Sequence, residues 1–414
     1  MTSLRSYALV TGAYWGFTIT DGALRMLVLL HFYRLGYDAV SIAFLFLFYE
    51  FFGIVTNLFG GWIASRSGVK VTLFGGLMLQ IVSLLMLAAQ NPRWSALISV
   101  VYVMSAQALS GIAKDLTKMS SKSAIKAIVP DNADGTLFKW VARLTGSKNA
   151  LKGCGFFVGG ALLAALGFKG ALVAMAVALA IVLLATAASL SGDLGRSKKK
   201  VKFTALLSKS REINWLSAAR LFLFASRDVW FVVGLPVFLS QLGWSSYSVG
   251  AFLALWVIGY GFIQAAVPEL LRLLGGGNTI DGSAARRWAA VLVLVPLGLI
   301  AALRSGADRG TVLMTGLAVF AVVFAVNSAV HSYLVLMYTD EDSVALNVGF
   351  YYMANAGGRL LGTLLSGLIF QLAGFAGCLW GSVALVVAAA LLSLKLPRGH
   401  AVSLAAIPSG SGGE

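Results

Sequence analysis

Charge is scarce in this chain, and negative charge is scarcest. Lys and Arg number 32 and Asp and Glu only 16 among 414 residues, so 12% of the chain is charged. A soluble domain carries roughly 25%. With 59% hydrophobic residues, the chain cannot clothe a water-facing surface, which excludes a soluble protein and a soluble enzyme. Cysteine is nearly absent. Cys154 and Cys378 both lie in apolar stretches, leaving neither a disulfide framework nor a metal-ligand spacing. No G-x-x-x-x-G-K-[ST] string occurs, so nothing points to ATP as the drive. Zinc, Ser-triad and EF-hand patterns are missing as well, and the chain is expected to work without cofactor or metal. The net charge of +16 would suggest nucleic acid. The cations sit between apolar runs with no separable basic domain, so no nucleic-acid partner is expected.

What the chain has instead is apolar runs of about 20 residues, each long enough to cross a bilayer. Hydropathy places twelve spans at about 7–34, 39–64, 70–90, 94–113, 147–167, 169–191, 213–240, 246–272, 288–304, 311–338, 344–371 and 373–395. The 46 glycines suit close helix approach in lipid. The first span is too long for a signal-peptide core and lacks a small-residue cleavage site. Residues 409–413 read as a floppy tail. With the N-terminus cytoplasmic, 23 cations fall on the cytoplasmic side, 5 on the other and 4 within spans. The positive-inside rule therefore puts both termini in the cytoplasm of a multi-pass protein of the cell (inner) membrane.

The basic segment 192–212 separates six spans from six. The expected fold is thus all-α, a helical bundle of residues 1–191, a cytoplasmic linker, a second bundle of 213–396 and a tail of 397–414. A shift of 207 residues relates the halves. Asp21 falls on Asp228, Leu35-Gly36-Tyr37 on Leu242-Gly243-Trp244, Gly167-Phe168-x-Gly170 on Gly374-Phe375-x-Gly377, and Lys152 on Arg359. Such duplication is common among transporters.

Charges inside spans are the sharpest functional clue, since each costs roughly 2.5–3.5 kcal/mol or more at the bilayer centre. Asp21 and Arg25 share a face of span one, and Lys148 and Lys152 a face of span five; Arg220, Arg227 and Asp228 stand on span seven, Arg359 on span eleven. Cations outnumber acids, and guanidinium forks suit phosphate, arsenate and carboxylate oxygens. The inferred cargo is an anion, with Arg25, Lys148, Lys152, Arg220, Arg227 and Arg359 as candidate ligands. The plainer reading makes Asp21–Arg25 and Arg227–Asp228 structural pairs and lets the two lysines snorkel to the surface. Glu50, set among aromatics, and Asp21 and Asp228 are candidate proton carriers or charge tuners. His31 and His331 read as packing residues. Lys114, Lys118, Lys122 and Lys126 recur every four residues, a stripe that needs an anion against it. Lipid headgroups are the plainer answer and a substrate vestibule the sharper one.

The loop Gly61-Trp62-Ile63-Ala64-Ser65-Arg66-Ser67-Gly68-Val69-Lys70 resembles the cytoplasmic gate signature of the major facilitator superfamily, G-x-x-x-D-R-x-G-R-[RK]. Gly61, Arg66, Gly68 and Lys70 match. Ser65 replaces the acid and Val69 the second Arg. The resemblance implies that spans one, four, seven and ten, with five and eleven, line a central cavity. More closely, the chain resembles the ArsJ-type organoarsenical efflux permeases. The strings are Thr18–Val28, Phe46–Gly53, Gly111–Leu116, Leu144–Gly153, Ala219–Phe224 and Arg227–Phe231, spread over nearly the whole chain. That resemblance implies export of 1-arseno-3-phosphoglycerate, which glyceraldehyde-3-phosphate dehydrogenase makes from arsenate. The dehydrogenase is then the functional partner, the cargo a small anionic organoarsenical, and the expected protein a monomer in membrane lipid. Two distant cysteines cannot build a three-thiolate arsenite site. An organophosphate or sugar-acid porter of the same fold is the alternative, and a transport-dead scaffold or sensor a third.

Overall fold

The computed structural model describes residues 2–91, 93–126, 134–190, 210–273, 279–305, 308–338, 344–397 and 402–403. They form α1 (Thr2–Arg34), α2 (Ala39–Leu45), α3 (Leu47–Ala88), α4 (Ala96–Lys126), α5 (Asp134–Ser189), α6 (Arg211–Phe231), α7 (Gly234–Gln241), α8 (Ser246–Leu273), α9 (Gly282–Arg304), α10 (Arg309–Met337) and α11 (Val344–Ser393). A two-residue ribbon, β1 (Thr279–Ile280) with β2 (Val402–Ser403), runs antiparallel. It ties the C-terminal segment to the α8–α9 connection, so both lie on one membrane face.

Among the described residues, nine segments are long and apolar enough to cross a membrane. Two of them, Ser147–Ser189 and Gly349–Ser393, run to 43 and 45 residues. A straight helix that long would measure about 65 Å, roughly twice the hydrocarbon thickness. Each is broken at a glycine that only glycine satisfies, Gly167 (φ 67, ψ −178) and Gly374 (φ 62, ψ −164). The protein is therefore an all-α, multi-spanning membrane protein. Leu97, Leu255, Phe262 and Leu372 are 69–77% exposed, a surface that only lipid covers at low cost.

Several elements differ from the hydropathy reading. The second span is interrupted at Phe46 (φ −99, ψ −3), between α2 and α3. The seventh is interrupted at Val232 and Val233, between α6 and α7. Pro236 lacks an N–H and its ring opposes the carbonyl four residues back, so the helix restarts there. Ser366 Oγ accepts from the freed N–H groups of Val233 and Gly234 at 3.2 and 3.0 Å. Helices α4 and α5 run well past the predicted span ends, to Lys126 and from Asp134. The linker expected at 192–212 lies outside the described residues up to 209.

At its anchors the 207-residue repeat is reproduced bond for bond. Gly36 and Gly243 both have φ 85. The N–H groups of Gly36 and Tyr37 reach Tyr33 and Phe32 carbonyls; those of Gly243 and Trp244 reach Ser240 and Leu239. Each is a Schellman ending. Asp38 then caps the next helix through Ser41 N–H, and Ser245 does so through Ser248 N–H. His31 stacks on Phe168 at 3.9 Å, and Phe238 on Phe375 at 4.9 Å. The principal packing also pairs off, α1 with α5 and α6 with α11, while α5–α8 and α3–α11 join the halves. Close approach requires glycine: a Cβ on Gly159 would lie 2.4 Å from Ala23 O, and one on Gly358 2.1 Å from Leu221 O.

Candidate functional site

A fully buried carboxylate organises the interior. Glu50, in the first turn of α3, is 0% exposed. Its Oε1 accepts from Arg25 Nη2 on α1 at 2.6 Å and from Arg359 Nη2 on α11 at 2.6 Å. Arg25 belongs to the first half and Arg359 to the second, so one oxygen bridges them. Glu50 Oε2, equally buried, accepts from nothing among the described residues. Arg25 is further held against the rings of Phe46 and Tyr49, at 5.1 and 5.4 Å. The break at Phe46 matters here, because it swings that ring under the guanidinium.

Asp21 does not pair with Arg25, although the two stand one turn apart. Its Oδ1 accepts from Tyr49 Oη at 2.6 Å. Tyr49 also offers its ring face to Lys114 Nζ, 4.0 Å away. Lys118 Nζ binds Asp115 Oδ1 at 2.5 Å and Asn57 Oδ1 at 2.5 Å. Lys114 and Lys118, the first half of the lysine stripe, are thus half-buried and held by Tyr49, Asp115 and Asn57. The side chains of Lys122 and Lys126 lie outside the described residues.

In the second half, Arg227 holds Asp228 Oδ1 through Nη2 at 2.5 Å and Nε at 2.7 Å. Arg359 Nε lies 3.6 Å from Asp228 Oδ2. Two carboxylates, Glu50 and Asp228, therefore serve three arginines. The remaining cations are different. Lys152, half-buried on α5, makes no hydrogen bond or ion pair among the described residues, and its closest ring is Phe156 at 5.9 Å. Arg220 is 4% exposed and pairs with no carboxylate among the described residues; Nε donates to Asn355 Oδ1 at 2.9 Å and Nη1 to Ser328 O at 3.0 Å.

No family model and no curated protein matches the chain. Among solved structures it is similar to a POT family transporter in complex with a thioalcohol-conjugated peptide (TM-score 0.72, 14% identity, covering 94% of this chain and 96% of that one). It is similar also to a bacterial homologue of the iron transporter ferroportin in an inward-facing state (0.66, 18%, 95% and 98%). A D-xylose–proton symporter gives 0.69 at 15%, over 96% and 98%. The chain shares its fold with these transporters.

Within that transporter fold, the sequence-predicted residues fall into three groups. Arg25, Glu50, Asp228, Arg227 and Arg359 form one ion-paired set. Lys152 and Arg220 are cations without acids. Gly61 and Arg66 have side chains outside the described residues, while Gly68 (φ 78) breaks α3 and Lys70 follows it. Lys148 is half-buried, one turn before Lys152. Glu50, expected as a proton carrier or charge tuner among aromatics, accepts from two arginines. Three of the six candidate cations are ion-paired, where the helix-face reading gave two, because Glu50 meets Arg359 of the second half as well as Arg25. Tyr49, Asp115, Asn57 and Asn355 escaped the sequence reading. Tyr49 could have been found as the aromatic neighbour of Glu50 in a span already carrying charge.

Proposed function

We propose that this protein is a secondary active transporter of twelve spans in two six-helix halves, exporting a small organic polyanion. The reading takes the cargo to be 1-arseno-3-phosphoglycerate, so that export gives arsenate resistance in a cell whose glyceraldehyde-3-phosphate dehydrogenase makes it. Twelve passes follow if α1 crosses once and the helices broken at Gly167 and Gly374 cross twice each. Both termini then lie in the cytoplasm of the inner membrane.

The observation that carries the reading is a surplus of interior cations. Arg25, Lys114, Lys118, Lys152, Arg220, Arg227 and Arg359 stand against Asp21, Glu50, Asp115 and Asp228. A cation held in a low-dielectric interior without an acid is costly, and an anionic cargo supplies the missing charge. The chemistry is competition. A phosphate or arsenate entering beside Lys152 offers more oxygens to Arg25 and Arg359 than Glu50 does. As it takes them, the Glu50 link between halves loosens, and one half can rock against the other around the bound anion. Exchange for a second anion, or a proton on Asp21 or Asp228, would reset the link, which makes the protein an antiporter.

The test is arsenate resistance in a sensitive strain, with and without co-expressed dehydrogenase. Resistance only with the dehydrogenase is expected; equal resistance without it overturns the organoarsenical cargo. An organophosphate or sugar-acid porter of the same fold is favoured instead if phosphoglycerate or inorganic phosphate competes for uptake in inside-out vesicles.

A further inference from the structure

Arg220 is the one guanidinium in the interior that meets only neutral groups among the described residues. Phe224 and Tyr351 flank it, at 4.0 and 5.1 Å from Cζ, and Asn355 and Ser328 take two of its N–H groups. Its Nη2 makes no hydrogen bond among the described residues. Beside it stand His331 and Tyr351, each 1% exposed. His331, within electrostatic reach of Arg220, has no partner for its Nδ1 among the described residues, and the Tyr351 hydroxyl has only Ser332 Oγ near it, which itself donates to Ser328 O. A buried polar atom left without a partner costs about 1–3 kcal/mol, so an unmatched imidazole nitrogen beside a guanidinium that faces no acid points to a missing guest. A polar chain leads from here to the other half: Gln264 Nε2 reaches Ser328 Oγ at 3.1 Å, and Asn149 Nδ2 reaches Gln264 Oε1 at 3.2 Å. Asn149 stands three residues before Lys152.

We propose that Arg220, His331 and Tyr351 form a second oxyanion subsite, which takes the planar carboxylate or acyl end of a cargo whose phosphate end lies beside Lys152. The assignment of ends follows charge. Lys152 lies within electrostatic reach of Arg359, Arg25 and Lys114, with Asp21 and Glu50 as the acids nearby; four cations against two acids make a setting for a dianion. Arg220 brings a single charge, supplemented by two groups that can donate without charge, a setting for a flat monoanion or a polarised carbonyl. This rests on the anion-export reading above and deepens it.

Calorimetric titration of the purified full chain separates the two. The probes are 3-phosphoglycerate, with two anionic ends, and glycerol 3-phosphate, which lacks the carboxylate. Arg220→Gln and His331→Ala are expected to weaken 3-phosphoglycerate about 10-fold or more, down to the level of glycerol 3-phosphate. Glycerol 3-phosphate itself should change less than about 2-fold. Equal loss for both probes, or no loss for either, overturns the subsite. If Lys152→Gln still weakens both probes in that case, the anion reading stands without it. If wild type binds neither probe, the anion reading falls and the subsite with it. Should Arg220→Gln not fold, Arg220→Lys and His331→Asn carry the same comparison, because Lys keeps the charge but not the planar fork.

Discussion

Glu50 and Lys152 make opposite predictions because their surroundings are opposite. Glu50 holds two arginines, and removing one partner of a buried charge network typically costs about 3–5 kcal/mol, since the others are left uncompensated. Glu50→Gln should therefore lower the melting temperature markedly, and 3-phosphoglycerate should restore more of it than in wild type, by supplying the lost anion. Thiol-reactive dye unfolding reads this directly. Cys378 is 0% exposed and becomes reactive only on opening, while Cys154 is exposed and gives the baseline. An unchanged melting curve would remove Glu50 from the centre of the site. Lys152 satisfies no acid, so Lys152→Gln should leave melting nearly unchanged and still cut transport about 10-fold or more, as loss of a charge-assisted contact does. Wild-type uptake at equal expression would exclude it. These residues also show where the sequence was readable. That Arg25, Arg220, Arg227 and Arg359 stand within spans was legible from hydropathy; that they and Lys152 line an interior cavity was what the family resemblance implied. Their partners were not. Helix geometry offers Asp21 to Arg25, but in the fold the shorter reach is from Glu50, and Tyr49 claims Asp21 instead.

At the scale of the helices, legibility followed the backbone signals. Gly36, Gly167, Gly243 and Gly374 stood out in sequence as repeat anchors, and all four adopt positive φ. The breaks at Phe46 and Val232 did not stand out, because uninterrupted hydropathy hides a local interruption; Pro236 was the available signal for the second. Helix contact in lipid depends on small residues rather than on apolar burial, and this sets two substitutions apart. Gly159→Ala places a Cβ 2.4 Å from the Ala23 carbonyl, whereas Gly12 has nothing within 4 Å. Gly12→Ala should be neutral or stabilising by about 0.5–1 kcal/mol, the helix-propensity gain. Gly159→Ala should push α1 from α5 and reduce the yield of monodisperse protein on size exclusion. Equal yields from the two would mean that α1 and α5 do not pack this closely.

At the scale of the whole molecule, the question is what holds two repeats together while allowing them to move. The repeat mates Lys152 and Arg359 have diverged: Arg359 reaches across to Glu50, and Lys152 remains without an acid. The bridge is therefore a single asymmetric tie laid over a near-symmetric scaffold, joined by the Asn149–Gln264 contact and by the α5–α8 and α3–α11 packing. In the intact chain the linker keeps the halves at high effective concentration, which masks the strength of any one tie. Cutting it exposes that strength. Residues 1–190 and 210–414, co-expressed as separate chains, should copurify, since helix packing continues to join them. Glu50→Gln in the split pair should reduce copurification several-fold, and Arg359→Gln should do the same, whereas Lys152→Gln should not. A Gly159→Ala clash cannot mimic this pattern, because Gly159 and Ala23 both belong to the first half. If the Glu50→Gln pair copurified as well as wild type, the carboxylate would be an internal charge of the first half, and the cargo would have to open the transporter by some other contact.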